Sequence, residues 1–262
     1  MRLTVIGCAG SFPSVESAAS SYLVEADDDA GRTWRVVLDL GNGALGPLQR
    51  FCDPADVDTF AVSHLHADHA ADLVVLGVYL RYRPGGPCDP VPLYGPVGTS
   101  ARLAQMAGTD PATDVSGQLE VRTWEEGVGV DVGPLRLVPV GVEHPVPAFG
   151  IRVTGPAEGD PARRVTLAYT GDTDAGPGLD AVAGAADLLL SEAAFLEGRD
   201  DAVRGVHLTG RRAGRAAAAG SARRLVLTHL PAWNDPAVTL AEASEVFAGP
   251  IELARPGSVF LL

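Results

Sequence analysis

The sequence predicts an α+β fold in which two stacked β-sheets carry helices on their outer faces. Three observations predict it. Short apolar runs broken by Gly and Pro recur along the whole chain. Strand-like runs outnumber helix-like ones. The helices arrive singly between groups of strands, which suits stacked sheets better than a doubly wound parallel sheet. With 262 residues and no stretch that reads as a linker, residues 1–262 are expected to form a single domain with a substantial core.

In chain order, Leu3–Ile6, Ser21–Ala26, Trp34–Leu40 and Thr59–Ser63 read as strands. A short helix fits Leu45–Cys52, and a second begins near Asp68 and runs through Val78 or beyond. Pro84-Gly85-Gly86-Pro87 breaks the chain before a strand at Val91–Tyr94 and a helix at Gly98–Met106. The second half repeats the style, with strands at Leu135–Pro139, Gly150–Val153, Val165–Thr170 and Leu188–Ser191. Gly155–Ala162 reads as a hairpin tip. Helices are expected at Arg211–Ala219 and Leu240–Phe247, and closing strands at Leu225–Thr228 and Ser258–Leu261.

Composition narrows the function classes. A formal net charge of −13 opposes passive attraction to nucleic acid or to anionic membrane. All 20 basic residues are Arg, which with the abundance of Ala, Gly and Pro points to a high-GC coding sequence rather than to a mechanism. Cys8, Cys52 and Cys88 are scattered and odd in number, so neither a disulfide framework nor a thiolate zinc site is expected. No apolar run approaches the roughly 20 residues of a membrane span. Met1–Gly7 reads as a strand rather than a signal peptide, and a cytoplasmic protein is expected.

The chemistry lies in the histidines. Ser63-His64-Leu65-His66-Ala67-Asp68-His69 holds four potential ligands where a strand meets a helix. Neutral imidazole and carboxylate suit zinc, and also manganese or iron. A polar loop with chance histidines is the bland alternative, and a cluster this dense disfavours it. Further candidates stand at the ends of apolar strands: His144 after Leu137–Val140, Asp172 after Thr166–Thr170, and His229 after Leu225–Thr228.

His64-x-His66-x-Asp68-His69, followed by His144, Asp172 and His229, resembles the ligand set of the metallo-β-lactamase superfamily across nearly the whole chain. Asp39 resembles its early structural aspartate. The resemblance implies an αββα sandwich with two divalent metals at one edge of the two sheets, zinc by default. It implies that His64, His66 and His144 hold one metal and that Asp68, His69 and His229 hold the other. Asp172 would bridge them, with a hydroxide as second bridge and attacking nucleophile.

Gly171-Asp172-Thr173, Leu190-Ser191-Glu192-Ala193-Ala194-Phe195 and His207-Leu208-Thr209-Gly210 resemble, in that order, the ribonuclease Z and cyclic-nucleotide phosphodiesterase branch. The first acidic match is partial, because Ser191 and Ala194 replace the branch's His and Thr. The resemblance gives His207 the role of contacting phosphate and protonating the leaving oxygen, with Glu192 orienting it and Asp68 among the catalytic residues. His207 as a helix cap and Glu192 as a solvated acid is the competing reading.

The His144–Asp172 interval lacks the long basic arm usual in ribonuclease Z, and the chain lacks a cationic footprint. A small phosphodiester, foremost cyclic AMP, is therefore the expected substrate. The Leu227–Trp233 run also resembles actinobacterial-type members linked to cyclic AMP hydrolysis. A tRNA 3′ endonuclease of the ribonuclease Z kind, or an aryl sulfatase or lactonase, is the alternative, with a non-enzymatic metal-stabilised scaffold last. Ser11, Phe12, Trp233 and Asn234 are candidate substrate contacts, and Tyr79–Arg83 a candidate lid or dimer contact. The resemblance also implies a homodimer.

Overall fold

The computed structural model describes residues 1–109 and 117–262. Its strands in chain order are β1 (Arg2–Gly7), β2 (Ser21–Asp27), β3 (Thr33–Leu38), β4 (Thr59–Ala61), β5 (Val91–Gly95), β6 (Leu119–Thr123) and β7 (Val130–Val132). They continue as β8 (Leu135–Gly141), β9 (Phe149–Ala157), β10 (Asp160–Tyr169), β11 (Leu188–Glu192), β12 (Leu225–Thr228), β13 (Ile251–Leu253) and β14 (Val259–Leu261). Among the described residues they form two mixed seven-stranded sheets, ordered β14-β1-β2-β3-β4-β5-β6 and β13-β12-β11-β10-β9-β8-β7. This is the expected sandwich of two sheets with helices outside.

Alternation along the strands explains the layers. Leu3 and Val5 of β1, Tyr22 and Val24 of β2, and Val36 and Leu38 of β3 share a core with Ile151, Val153, Leu167, Leu188 and Leu190 of the second sheet. The residues between them face outward. Ile6, Leu23 and Val37 pack under helices α1 (Leu45–Leu48), α3 (Asp72–Tyr82) and α4 (Thr99–Ala107). Ala168, Leu189, Leu225 and Leu227 pack under α5 (Pro177–Ala183), α6 (Gly210–Ala219) and α7 (Pro236–Ser244). A strand buried on both faces reads as a continuous apolar run, which is why these strands stand out in the sequence.

Several boundaries differ from expectation, each for a local reason. β3 stops at Leu38 because Asp39 turns to φ 56°. The helix expected over Leu45–Cys52 is one turn, α1, since Gly46 and Pro47 are poor helix formers. The helix expected from Asp68 divides into α2 (Ala67–Ala70) and α3, because the Asp72 N–H donates to Leu40 O at 3.1 Å instead of continuing the ladder. Gly41 lies so close beneath that a Cβ there would sit 2.0 Å from Asp68 O. The helix expected at Leu240–Phe247 lies upstream as α7, started by Pro236 after an Asp235 cap that accepts from Ala237 N. The hairpin tip predicted over Gly155–Ala162 tightens to the turn at Glu158–Gly159, where Gly159 has φ 79°. The short strands β6, β7 and β13 and the helix α5 had no sequence expectation.

All three cysteines are free, as expected. No helix among the described residues is long and apolar enough to cross a membrane.

Candidate metal centre

β3 pairs parallel with β4, and β10, β11 and β12 are mutually parallel, so their C-terminal ends bring Asp39, His64–His69, Asp172, Glu192 and His229 to one edge of the sandwich. β8 runs antiparallel to β9, and β9 to β10, so the end of β8 delivers His144 to the same edge.

There the sequence candidates meet. His64, His66 and His144 form one cluster and Asp68, His69, Asp172 and His229 a second, with the donor atoms of each within 4.8 Å of one another. In the first, His66 Nδ1 lies 3.0 Å from His64 Nε2 and 3.3 Å from His144 Nε2. Three nitrogens about 3.3 Å apart are the edges of a tetrahedron around a cation with metal–nitrogen bonds of about 2.0–2.1 Å. In the second, Asp172 Oδ1 is 3.2 Å from His69 Nε2, and its Oδ2 is 3.3 Å from His229 Nε2. Oδ2 is also 3.7 Å from His64 Nε2, so this carboxylate faces both clusters.

The residues fit divalent cations. His69 Nε2, Asp172 Oδ1 and His229 Nε2 are buried without a hydrogen-bond partner, which is costly unless something else satisfies them. Their far sides are fully engaged. His69 Nδ1 faces Asp39 at 2.7 Å, His229 Nδ1 faces the Ser20 hydroxyl at 2.9 Å, and His144 Nδ1 faces Val206 O at 2.9 Å. Such outer partners fix the tautomer and aim the free nitrogen at a metal. Asp39 organises this layer, also accepting from Ser63 N, the Ser63 hydroxyl and the Tyr169 hydroxyl. His229 adopts φ 57°, an unusual conformation for a non-glycine residue.

Electrostatics point the same way. Burial keeps His64, His66, His144 and His229 below the ordinary histidine value, hence neutral and ligand-ready. Against the opposing effect of burial, His229 and His69 hold the Asp172 carboxyl well below the usual range. Burial also opposes a charge on His69, yet Asp172 and Asp39 raise it well above its ordinary value. Two buried carboxylates thus call for positive charge between them, which a proton or a cation can meet.

His207 and Glu192 stand beside these clusters and are paired: His207 Nδ1 lies 2.9 Å from Glu192 Oε1. Glu192 is fully buried and also accepts from Thr173 N and Ala194 N, so its oxygens are occupied. It is neither solvated nor free, and the helix cap is a different residue: Thr209 accepts from Arg212 N at the start of α6.

Asp174 had no sequence expectation, although it lies two residues after Asp172. It is buried and accepts from Gly205 N at 2.8 Å, while Arg204 Nε at 2.9 Å and Arg212 Nη1 at 3.3 Å pair with it. It ties the segment just before His207 to the Asp172 loop. Asp174→Asn should cost about 3 kcal/mol in urea unfolding, because the largely buried Arg212 loses its nearest carboxylate and keeps only Glu197, 4.0 Å away, and His207 O. Metal analysis should show unchanged binding, since no candidate ligand is touched. Loss of metal would refute this assignment.

The candidate substrate contacts divide. Phe12 and Trp233 pack together with centroids 4.9 Å apart and are exposed beside the His229 loop, with Ser11 at the same rim. Asn234 turns inward, its amide donating to Ala194 O and accepting from Arg199, so it holds loops together. Tyr79 and Arg83 are both tied to Asp53 at the outer end of α3, while Tyr82 is exposed.

The profile of the beta-lactamase superfamily domain matches residues 34–230. An uncharacterized protein of Mycobacterium leprae is 40% identical over 99% of this chain and 88% of its own length. A probable metallo-hydrolase of Bacillus subtilis, YhfI, is 28% identical over 99% of both chains. The crystal structure of YhfI superposes with a TM-score of 0.83, covering 99% of this chain and 98% of that one at 27% identity. A ribonuclease Z of Myxococcus xanthus is 28% identical over 98% of this chain and 96% of its own, in an alignment of 305 positions. That alignment exceeds the 262 residues here, so the ribonuclease carries segments this chain lacks.

Proposed function

We propose, for a chain that belongs to the metallo-β-lactamase superfamily and is a metallo-hydrolase by kinship, that the bond it hydrolyses is a small phosphodiester, foremost a 3′,5′-cyclic nucleotide. The observation that carries this reading is the His207–Glu192 pair, 2.9 Å apart, which with Asp172 makes a third group of possible ligands but shares no residue except Asp172 with the two histidine-rich clusters.

Two divalent metals, zinc by default, would be held by His64, His66 and His144 and by Asp68, His69, Asp172 and His229, and would supply Lewis acidity and a bound water whose pKa is lowered to about 7. The chain's own groups do the rest. Glu192, against the effect of burial, lifts His207 to about 9, so the imidazole carries a proton at neutral pH. A charged imidazole 3.9 Å from Asp172 can contact a phosphoryl oxygen seated at the clusters and give its proton to the departing alkoxide. Carbonyl hydrolysis has less need of a separate cation there, so the pair favours phosphate over a lactone.

A tRNA substrate is less well supported. Between His144 and Asp172 the chain forms only the β9–β10 hairpin with its tight turn, leaving no arm to grip a polynucleotide.

Metal-loaded protein should hydrolyse bis-p-nitrophenyl phosphate and cyclic AMP. A chelator should remove activity about a thousandfold or more, and added Zn2+ or Mn2+ should restore it. Protein holding two metals per chain that opens neither ester, while cleaving a lactone or an aryl sulfate, would overturn the proposal.

A further inference from the structure

We infer that the cleft beside His66 is the subsite for the planar base of a nucleotide, and that Arg102 is its specificity-determining residue. This rests on the phosphodiester reading above and deepens it.

The cleft has a volume of about 300 Å3 and opens on His66, whose Nδ1 faces the first cluster. Its walls come from three elements. Leu65 precedes the histidine, Pro96 and Val97 follow β5, and Val146 and Pro147 follow His144. All five are aliphatic. Val97 is 71% exposed, a large apolar group with nothing over it. The β5–α4 wall is preformed, because both the N–H and the hydroxyl of Thr99 donate to Pro96 O, at 3.2 and 2.7 Å.

Among the described residues, Arg102 on α4 is the one charged side chain lining this cleft apart from the candidate ligand. Among the described residues it has no ion pair and no side-chain hydrogen bond, in a chain where most arginines have an ion pair. A cleft of aliphatic faces with one planar, five-donor group suits a flat ring that carries hydrogen-bond acceptors. A nucleobase is such a ring. A phosphate at the metal clusters would place the attached nucleoside within reach of the adjoining cleft. Because the same loop carries His144 and the Val146–Pro147 wall, the seat of the phosphate and the seat of the base are set by one piece of chain.

The test separates the two ends of the ligand. Inorganic phosphate probes the metal clusters alone, whereas adenosine 5′-monophosphate and guanosine 5′-monophosphate probe clusters and cleft together. Titration calorimetry on metal-loaded protein should show that Arg102→Ala and Val97→Asp each weaken nucleotide binding about tenfold or more and leave phosphate binding unchanged. Arg102→Lys should restore only part of the loss, since an ammonium keeps the charge but not the fork. Nucleotides that bind the native protein no better than phosphate, or variants that weaken phosphate and nucleotide equally, would overturn the subsite. Hydrolysis of bis-p-nitrophenyl phosphate by the native protein is scored separately. Its absence would count against the phosphodiester reading, while the binding contrast would still decide the cleft.

Discussion

Asp172→Asn will leave the chain folded but unable to hold two metals, and hydrolysis of any phosphodiester will fall about a thousandfold or more. The expectation follows from position. Among the described residues, Asp172 is the one side chain whose oxygens lie 3.2–3.7 Å from His69, His229 and His64, and it therefore serves both clusters. An amide supplies one acceptor where the carboxylate supplies two, and it removes the negative charge. Its NH2 would face either His69 Nε2 or His229 Nε2, both buried atoms without a hydrogen-bond partner. Metal analysis should show at most one ion per chain, held by the three histidines His64, His66 and His144. His66→Ala gives the complementary loss from the first cluster. Two tightly bound ions with full turnover in Asp172→Asn would show that the carboxylate is not shared.

The residues at this edge were largely legible in the sequence because they depend on chain order and on strand ends. A polar residue that ends an apolar strand is carried to the edge of its sheet, and His144, Asp172 and His229 each went there. The outer partners were less visible. Ser20, Ser63 and Asp174 are ordinary in sequence and gain meaning only through contacts 209, 24 and 31 residues away. Edge strands escaped for a related reason. β7 and β13 are three residues long and lack the two-sided burial that marks the central strands. Arg102 belongs to the same class, since its lack of a partner is a fact about space and not about sequence.

His207→Ala will keep both metals and lose turnover in proportion to the basicity of the leaving group. His207 belongs only to the group it forms with Asp172 and Glu192, and neither histidine-rich cluster loses a nitrogen, so the two metals held there should stand. An alkoxide, such as the one released from a cyclic nucleotide, needs a proton as the bond breaks. A p-nitrophenolate does not. The expected loss is therefore about 10²–10⁴-fold on cyclic AMP and much smaller on bis-p-nitrophenyl phosphate. Glu192→Gln extends the argument to charge. Burial alone would depress His207, and it is the Glu192 carboxylate that raises it to about 9. Without that charge, the protonated fraction will begin to vanish at lower pH, and the alkaline limb of the rate profile on cyclic AMP will move down accordingly. The variant will also be less stable, because Glu192 accepts from both Thr173 N and Ala194 N and an amide can serve only one of them through its oxygen. If His207→Ala instead slows both esters equally, the imidazole acts by holding phosphate and not by delivering a proton. If it slows neither, the pair has no part in the reaction, and the choice of phosphate over carbonyl chemistry loses its main support.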